Sequence, residues 1–134
     1  MSTARKTDAC RVAARLMALA AVADVVLESG VPGRDGFLDT DTLLEANPGV
    51  VHSIVTPFGL DGPKAGYAES DLILWAAGGP LKPTESQAGI PTRVTLPQAY
   101  HHAAADALCG IMVALEARRR GGQGQRVVTS AQAS

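Results

Sequence analysis

The densest group of side chains that could move a proton is Tyr100-His101-His102. The chemistry open to it is general acid–base catalysis, because imidazole titrates near neutrality and a phenol near pH ~10. Consecutive helical residues diverge by about 100°, so at most one of the two histidines shares a cleft with Tyr100. Asp106 stands nearly two turns further on and does not join them without movement. Ser70-Asp71, just before an apolar run, has the pattern of a helix start, with Ser70 as the cap. His52 falls inside a β-branched run and reads as structural. Cys10 and Cys109 lack metal-ligand spacing and read as small buried hydrophobes, neither disulfide partners nor nucleophiles.

The longest element that positions these residues spans Gln98–Arg120. Pro97 can open it, since the missing N–H would go unsatisfied there. Ala99, Ala103, Leu108, Ile111, Met112 and Leu115 then recur at helical steps, with alanine filling most gaps, as in a helix gripped on several sides. Arg118–Arg120 suit a helix C-terminus, and Gly121-Gly122 stops the helix. A strand, Gln125–Thr129, follows.

Earlier in the chain, Ser2 or Thr3 starts a helix to about Ala23, with Val12, Leu16, Leu19 and Ala20 as its apolar stripe. Asp24–Glu28 reads as a short buried strand, Ser29–Gly33 as a turn and Leu38–Glu45 as a helix capped by Asp39, Thr40 or Asp41. Asn47-Pro48-Gly49 ends that helix before a second strand, Val50–Val55. A Pro/Gly-rich loop, Thr56–Pro63, leads to a helix over Ser70–Ala77, and Pro80–Pro91 is polar and loop-like. Alternation of helix and strand at this spacing predicts an α/β fold, a Rossmann-like layered parallel sheet with crossover helices. No glycine-rich dinucleotide fingerprint accompanies it.

With 134 residues, this is a single domain at most. A formal net charge of −1 argues against a nucleic-acid partner held by bulk electrostatics. The apolar run Val12–Leu27 is interrupted by Arg15 and Asp24, so no membrane span is expected, nor a signal peptide, and a cytoplasmic location follows.

Five motifs, in order, resemble family III CoA-transferases, the carnitine-dehydratase and bile-acid-inducible F group that includes 2-methylacyl-CoA racemases. ADVVLES-GVPG is similar to the family's A-D-V-x-x-E-N-F-R-P-G, LLEANPGVV to L-x-x-x-N-P-x-L-V, and TPFGLDGP to S-x-F-G-x-x-G-P. SDLILWAAGG resembles Y-D-x-x-x-Q-A-x-x-G, and RRRGGQGQRV resembles R-x-x-T-G-x-G-Q-x-V. The resemblance covers nearly the whole chain and implies that residues 1–134 are one partial domain, a fragment of the family's large domain. It also implies that the family's upstream strand and helix and its downstream second domain are absent. Members form interlocked dimers, so a homo-oligomer, or a complementary subunit, is the implied partner.

The resemblance also implies the chemistry. The family's nucleophile is an aspartate after P-x-A; it attacks an acyl-CoA thioester, giving an aspartyl-acyl anhydride and releasing CoA thiolate. A carboxylate suits this because it is ionised at neutral pH. Here Tyr100 occupies that position. A phenol is neutral at pH 7 and forms no such intermediate, so Tyr100 is expected to pack or hydrogen-bond, with His101 the adjacent candidate base. Transfer of CoA between carboxylic acids would then be weak or absent in the chain alone. The alternatives are a non-catalytic partner subunit, a degenerate fragment, or a racemase-like member. The racemase histidine would fall at Ser70 and its aspartate at Tyr100, so neither racemase group is present. Coenzyme A, as an acyl-CoA substrate, is implied at Ser29, Gly30, Arg34, Ala68 and Ser70, with no metal. Val31 replaces the first arginine of the turn, and Arg34 lies near the second.

Overall fold

A computed structural model of the chain describes residues 3–81 and 95–134, with side chains from residue 12 onward. The expected Ser2 cap, the side chain of Cys10 and most of the Pro80–Pro91 loop lie outside the described residues. The elements are α1 (Thr3–Ala20), β1 (Val25–Ser29), α2 (Thr40–Ala46), β2 (Val51–Thr56), α3 (Asp71–Gly78), α4 (Gln98–Gly121) and β3 (Gln125–Ser130).

The three strands form one parallel sheet in the order β1-β2-β3. Val25 is in register with Val51, and Val51 with Gln125. Parallel neighbours need crossovers, and the helices supply them on both faces. On one face Leu43 of α2 packs with Val50 and Ala20, and with half-buried Met17 and Val26. On the other, α4 approaches so closely that a Cβ on Gly110 would stand 2.7 Å from Val127 Cγ1. A smaller cluster of Leu74, Ala99, Ala103 and Ala131 joins α3, the start of α4 and the end of β3.

Each turn has a local cause. Asp39 caps α2 by accepting from Thr42 N at 2.9 Å. Asn47 follows that helix, and its amide group donates to the carbonyls of Ala20 and Ala23, tying α2 to the end of α1. Arg118 donates to Gly49 O at 3.0 Å and to Asp24 at 2.8 Å, which pins the last turn of α4 beside the start of β2. Arg119 and Arg120 both pair with Glu116, so the triple arginine is a helix end, as its position suggested.

Packing differs from the sequence expectation in four places. In α4 the buried residues are the alanines at 99, 103, 107 and 114, while Leu108 and Met112 are exposed. Small side chains allow close contact with the sheet and with α3, and the larger ones, rotated around the helix, are left outside; among the described residues only the alanine face is gripped. Cys109 is exposed, not buried, because it is rotated about 100° from Gly110, the residue that meets β3. Helix α1 ends at Ala20, three residues early, and of its expected stripe Val12, Leu16 and Leu19 are exposed, since among the described residues α1 packs on α2 and the sheet chiefly through Met17 and Ala20. Strand β1 is half-buried, with Leu27 60% exposed on a sheet edge that no described strand covers.

Candidate functional site

The carboxyl ends of the parallel strands, where open α/β sheets hold ligands, frame a cleft of about 180 Å³. Ser29 and Gly30 come from the end of β1, Val55 and Thr56 from the end of β2, and Ala131 from just beyond β3. Tyr100, in the first turn of α4, and Glu69, just before α3, close the other side. The cleft thus joins residues 70 positions apart in the chain that a sequence reading links only through the resemblance.

Gly30 extends the sheet by donating its N–H to Val55 O at 3.2 Å. The chain then folds back on itself: Arg34 N and Asp35 N donate to Val31 O, and Val31 N donates to Asp35 Oδ2 at 2.8 Å. A Cβ on residue 30 would lie 2.9 Å from Asp35 Cβ, so glycine lets the turn close. Arg34 leaves this turn to pair with Asp35 at 3.7 Å and Glu69 at 3.8 Å. It therefore reaches the cleft through a carboxylate that sequence reasoning did not single out; a lone acid in a loop carries no periodic signal. For a phosphate ligand the fit is partial, because Arg34 is already shared by two carboxylates.

Tyr100 is 39% exposed. Partial burial is the main reason its phenol is held above the ordinary range, and the charges of Glu69 and Asp71 push the same way. The phenol is neutral at pH 7, a hydrogen-bond donor and acceptor but a poor nucleophile. What fixes its helix is Asp71. Pro97 is the residue before the first turn of α4 and offers no side-chain cap, and the buried Asp71 carboxylate accepts the Ala99 N–H at 3.0 Å instead.

The other candidates lie elsewhere. His101 is exposed and does not line the cleft. His102 borders a separate cleft with Leu74, Trp75 and Ala99. Ser70 caps α3, accepting from Ile73 N at 3.3 Å, so its hydroxyl is engaged locally. Ala68 and Asp106 are exposed, and Ala68 does not line the cleft.

His52 is fully buried, with Nε2 2.7 Å from Glu28 Oε2 and Nδ1 2.8 Å from Thr40 Oγ1. An ionised carboxylate only accepts, so Nε2 donates to Glu28, and Nδ1 shares the second hydrogen bond with the Thr40 hydroxyl. Glu28 also accepts from Leu38 N. This network locks β1, β2 and the entry to α2 together directly behind Ser29. Among the described residues, no group of three or more His, Cys, Asp or Glu is placed to hold a metal ion, and no helix is long and apolar enough to cross a membrane.

Residues 7–134 match the family model described as CoA-transferase family III. The chain is 40% identical over 107 residues to the succinyl-CoA:(R)-benzylsuccinate CoA-transferase subunit BbsE of Thauera aromatica, covering 78% of this chain and 26% of that one. It is 37% identical over 106 residues to the succinyl-CoA–D-citramalate CoA-transferase of Chloroflexus aurantiacus, again 78% and 26%. Among solved structures, Rv3272 of Mycobacterium tuberculosis superposes with a TM-score of 0.82 at 25% identity, over 91% of this chain and 34% of that one. A CAIB/BAIF family protein from Brucella suis gives 0.76 at 26% identity, over 88% and 32%. The chain therefore spans about a quarter of the length of the curated relatives it matches.

Proposed function

The chain belongs to CoA-transferase family III, and from that premise we propose that it handles acyl-CoA in the cleft at Tyr100. The observation that carries this reading is the convergence of Ser29, Gly30 and Tyr100 at the carboxyl ends of β1 and β2. In this reading the thioester carbonyl sits against Tyr100. The CoA arm runs along the Gly30 turn towards Arg34, where each charge-assisted phosphate contact contributes roughly 1.5–3 kcal/mol.

Catalysis by the chain alone is weak or absent. Attack on a thioester that releases CoA thiolate needs an ionised nucleophile, and the Tyr100 phenol keeps its proton: burial and two carboxylates disfavour the phenolate. His101 is the nearest candidate base in the sequence, but it would have to turn into the cleft to act. A racemase-like role has less support, since Ser70, at the position of the racemase histidine, is occupied as a cap.

A second reading, a non-catalytic partner subunit, is favoured by Val12, Leu16 and Leu19, exposed along α1. A relative of this chain is itself named as a subunit. We place the protein in the cytoplasm, with a second copy or a complementary subunit supplying further walls of the site.

Incubation with an acyl-CoA and a panel of acceptor acids, followed by mass spectrometry of the thioesters, separates these readings. Exchanged thioesters would assign transferase activity to the chain itself. CoA binding without exchange would favour the subunit, and neither binding nor exchange would reject both.

A further inference from the structure

We propose that Glu69 sets the affinity of the cleft for the phosphate-bearing arm of CoA by competing with it for Arg34. The inference rests on the reading of the cleft as a CoA site and adds a specificity-determining residue to it.

Arg34 stands between two carboxylates, with Nε 3.7 Å from Asp35 Oδ2 and Nη2 3.8 Å from Glu69 Oε2. The two acids are not equivalent. Asp35 is committed to its own turn, where Oδ2 accepts the Val31 N–H at 2.8 Å. Glu69 comes from a separate segment, as the residue before the Ser70 cap of α3, and lines the cleft beside Ser29, Gly30 and Tyr100. Among the described residues its one ion pair is the contact with Arg34. At these distances neither contact is a hydrogen bond, and the Arg34 side chain is 59% exposed, so its guanidinium can exchange partners.

A phosphate competes well for this arginine. The guanidinium fork matches two phosphate oxygens in a bidentate pair, which is shorter and stronger than a loose contact with one carboxylate oxygen. Glu69 then loses its partner and faces a second anion at the same wall of the cleft. An attraction is replaced by a repulsion, which disfavours the bound state. The charge of Glu69 is felt across the cleft as well: burial first, and then this carboxylate, holds the Tyr100 phenol above its ordinary range. Removing that charge while keeping the side chain's shape therefore releases Arg34 to the ligand.

The test is calorimetric titration of the full chain, Glu69→Gln, Arg34→Ala and the double variant with CoA and with pantetheine, which lacks the phosphates. Glu69→Gln should bind CoA about threefold tighter than the parent or more, and pantetheine no tighter. The gain should vanish in the Arg34→Ala background, because the competition is for that one guanidinium. Glu69→Gln that binds CoA no tighter, or more weakly, would overturn the proposal and make Glu69 a support for Arg34. A gain that survives Arg34→Ala, or that appears equally with pantetheine, would also overturn it, since Glu69 would then act without Arg34 or away from the phosphates. Each of these results leaves the reading of the cleft standing. Failure of the folded parent and of every variant to bind CoA would overturn that reading and this one with it.

Discussion

The Asp71 carboxylate accepts the Ala99 N–H at 3.0 Å, so the first residue of α3 caps the start of α4 next to Tyr100. Pro97 leaves α4 without a side-chain cap of its own, and Asp71, 8% exposed, supplies the acceptor from another element. Asp71→Ala leaves the Ala99 amide unpaired and should destabilise the chain by about 1–3 kcal/mol in urea denaturation. Asp71→Asn keeps an acceptor oxygen and should retain most of that stability. Equal losses for the two variants would show that the hydrogen bond is not the reason Asp71 is buried there.

Gly110 makes a comparable prediction in the middle of α4. A methyl there would meet Val127 Cγ1 at 2.7 Å, so α4 must lift from β3 or Val127 must move. Gly110→Ala gains intrinsic helix propensity of about 1 kcal/mol, but overpacking costs typically 1–3 kcal/mol. The net should be destabilising in thermal denaturation. Adding Val127→Ala should restore room and recover part of the loss. A Gly110→Ala chain more stable than the parent would mean that the contact is loose.

Tyr100 provides a pH test. Its phenol is held above the ordinary value by burial, with Glu69 and Asp71 adding to it. The folded chain therefore keeps this proton at a pH where the unfolded chain has released it. Stability from this group is fully present below the unfolded value, near pH ~10, and is lost as pH rises through the folded value. Ultraviolet titration of a Tyr67→Phe background should show the remaining tyrosine ionising above free tyrosine. A midpoint below that of free tyrosine would instead identify an activated phenol.

Substitution at the same position separates scaffold from chemistry. Tyr100 is 39% exposed at a cleft wall, so Tyr100→Asp should fold with little change in unfolding midpoint. The new carboxylate, in the first turn of α4, would be favoured in its ionised form by the helix dipole. Supplied with the complementary parts of the family's site, it should release CoA from an acyl-CoA where the parent releases none. Tyr100→Phe should leave every measured activity unchanged. Loss of a parental activity in Tyr100→Phe would make the phenol a working acid or base.

Most of the backbone was legible because its punctuation is local. Glycine and proline mark the turns after Ser29, Asn47 and Gly121, and β-branched runs mark β1 and β2; their parallel pairing agrees with the helix–strand alternation. Burial was less legible. The period of α4 shows an amphipathic helix, yet alanines and leucines satisfy it equally, and the choice of alanine follows from how near β3 lies at Gly110. The stripe on α1 likewise shows a face that could be covered, not that the chain covers it. In the cleft, Ser29, Gly30 and Tyr100 came from motif resemblance, as did Asp71 itself, while Glu69 and the reach of Asp71 to the Ala99 N–H are long-range contacts that left no pattern to find. His52 read as structural from its strand alone, though its Glu28 and Thr40 partners required the fold.

Chemical-shift mapping of the isotope-labelled chain during a CoA titration tests the central claim, that the strand-end cleft at Tyr100 is the CoA site. Saturable shifts should concentrate at the amides of Ser29, Gly30, Glu69 and Tyr100, extend to Arg34, and leave the His102–Trp75 cleft unmoved. No saturable shifts, or shifts centred on His102 and Trp75 with Gly30 and Tyr100 unchanged, would contradict it.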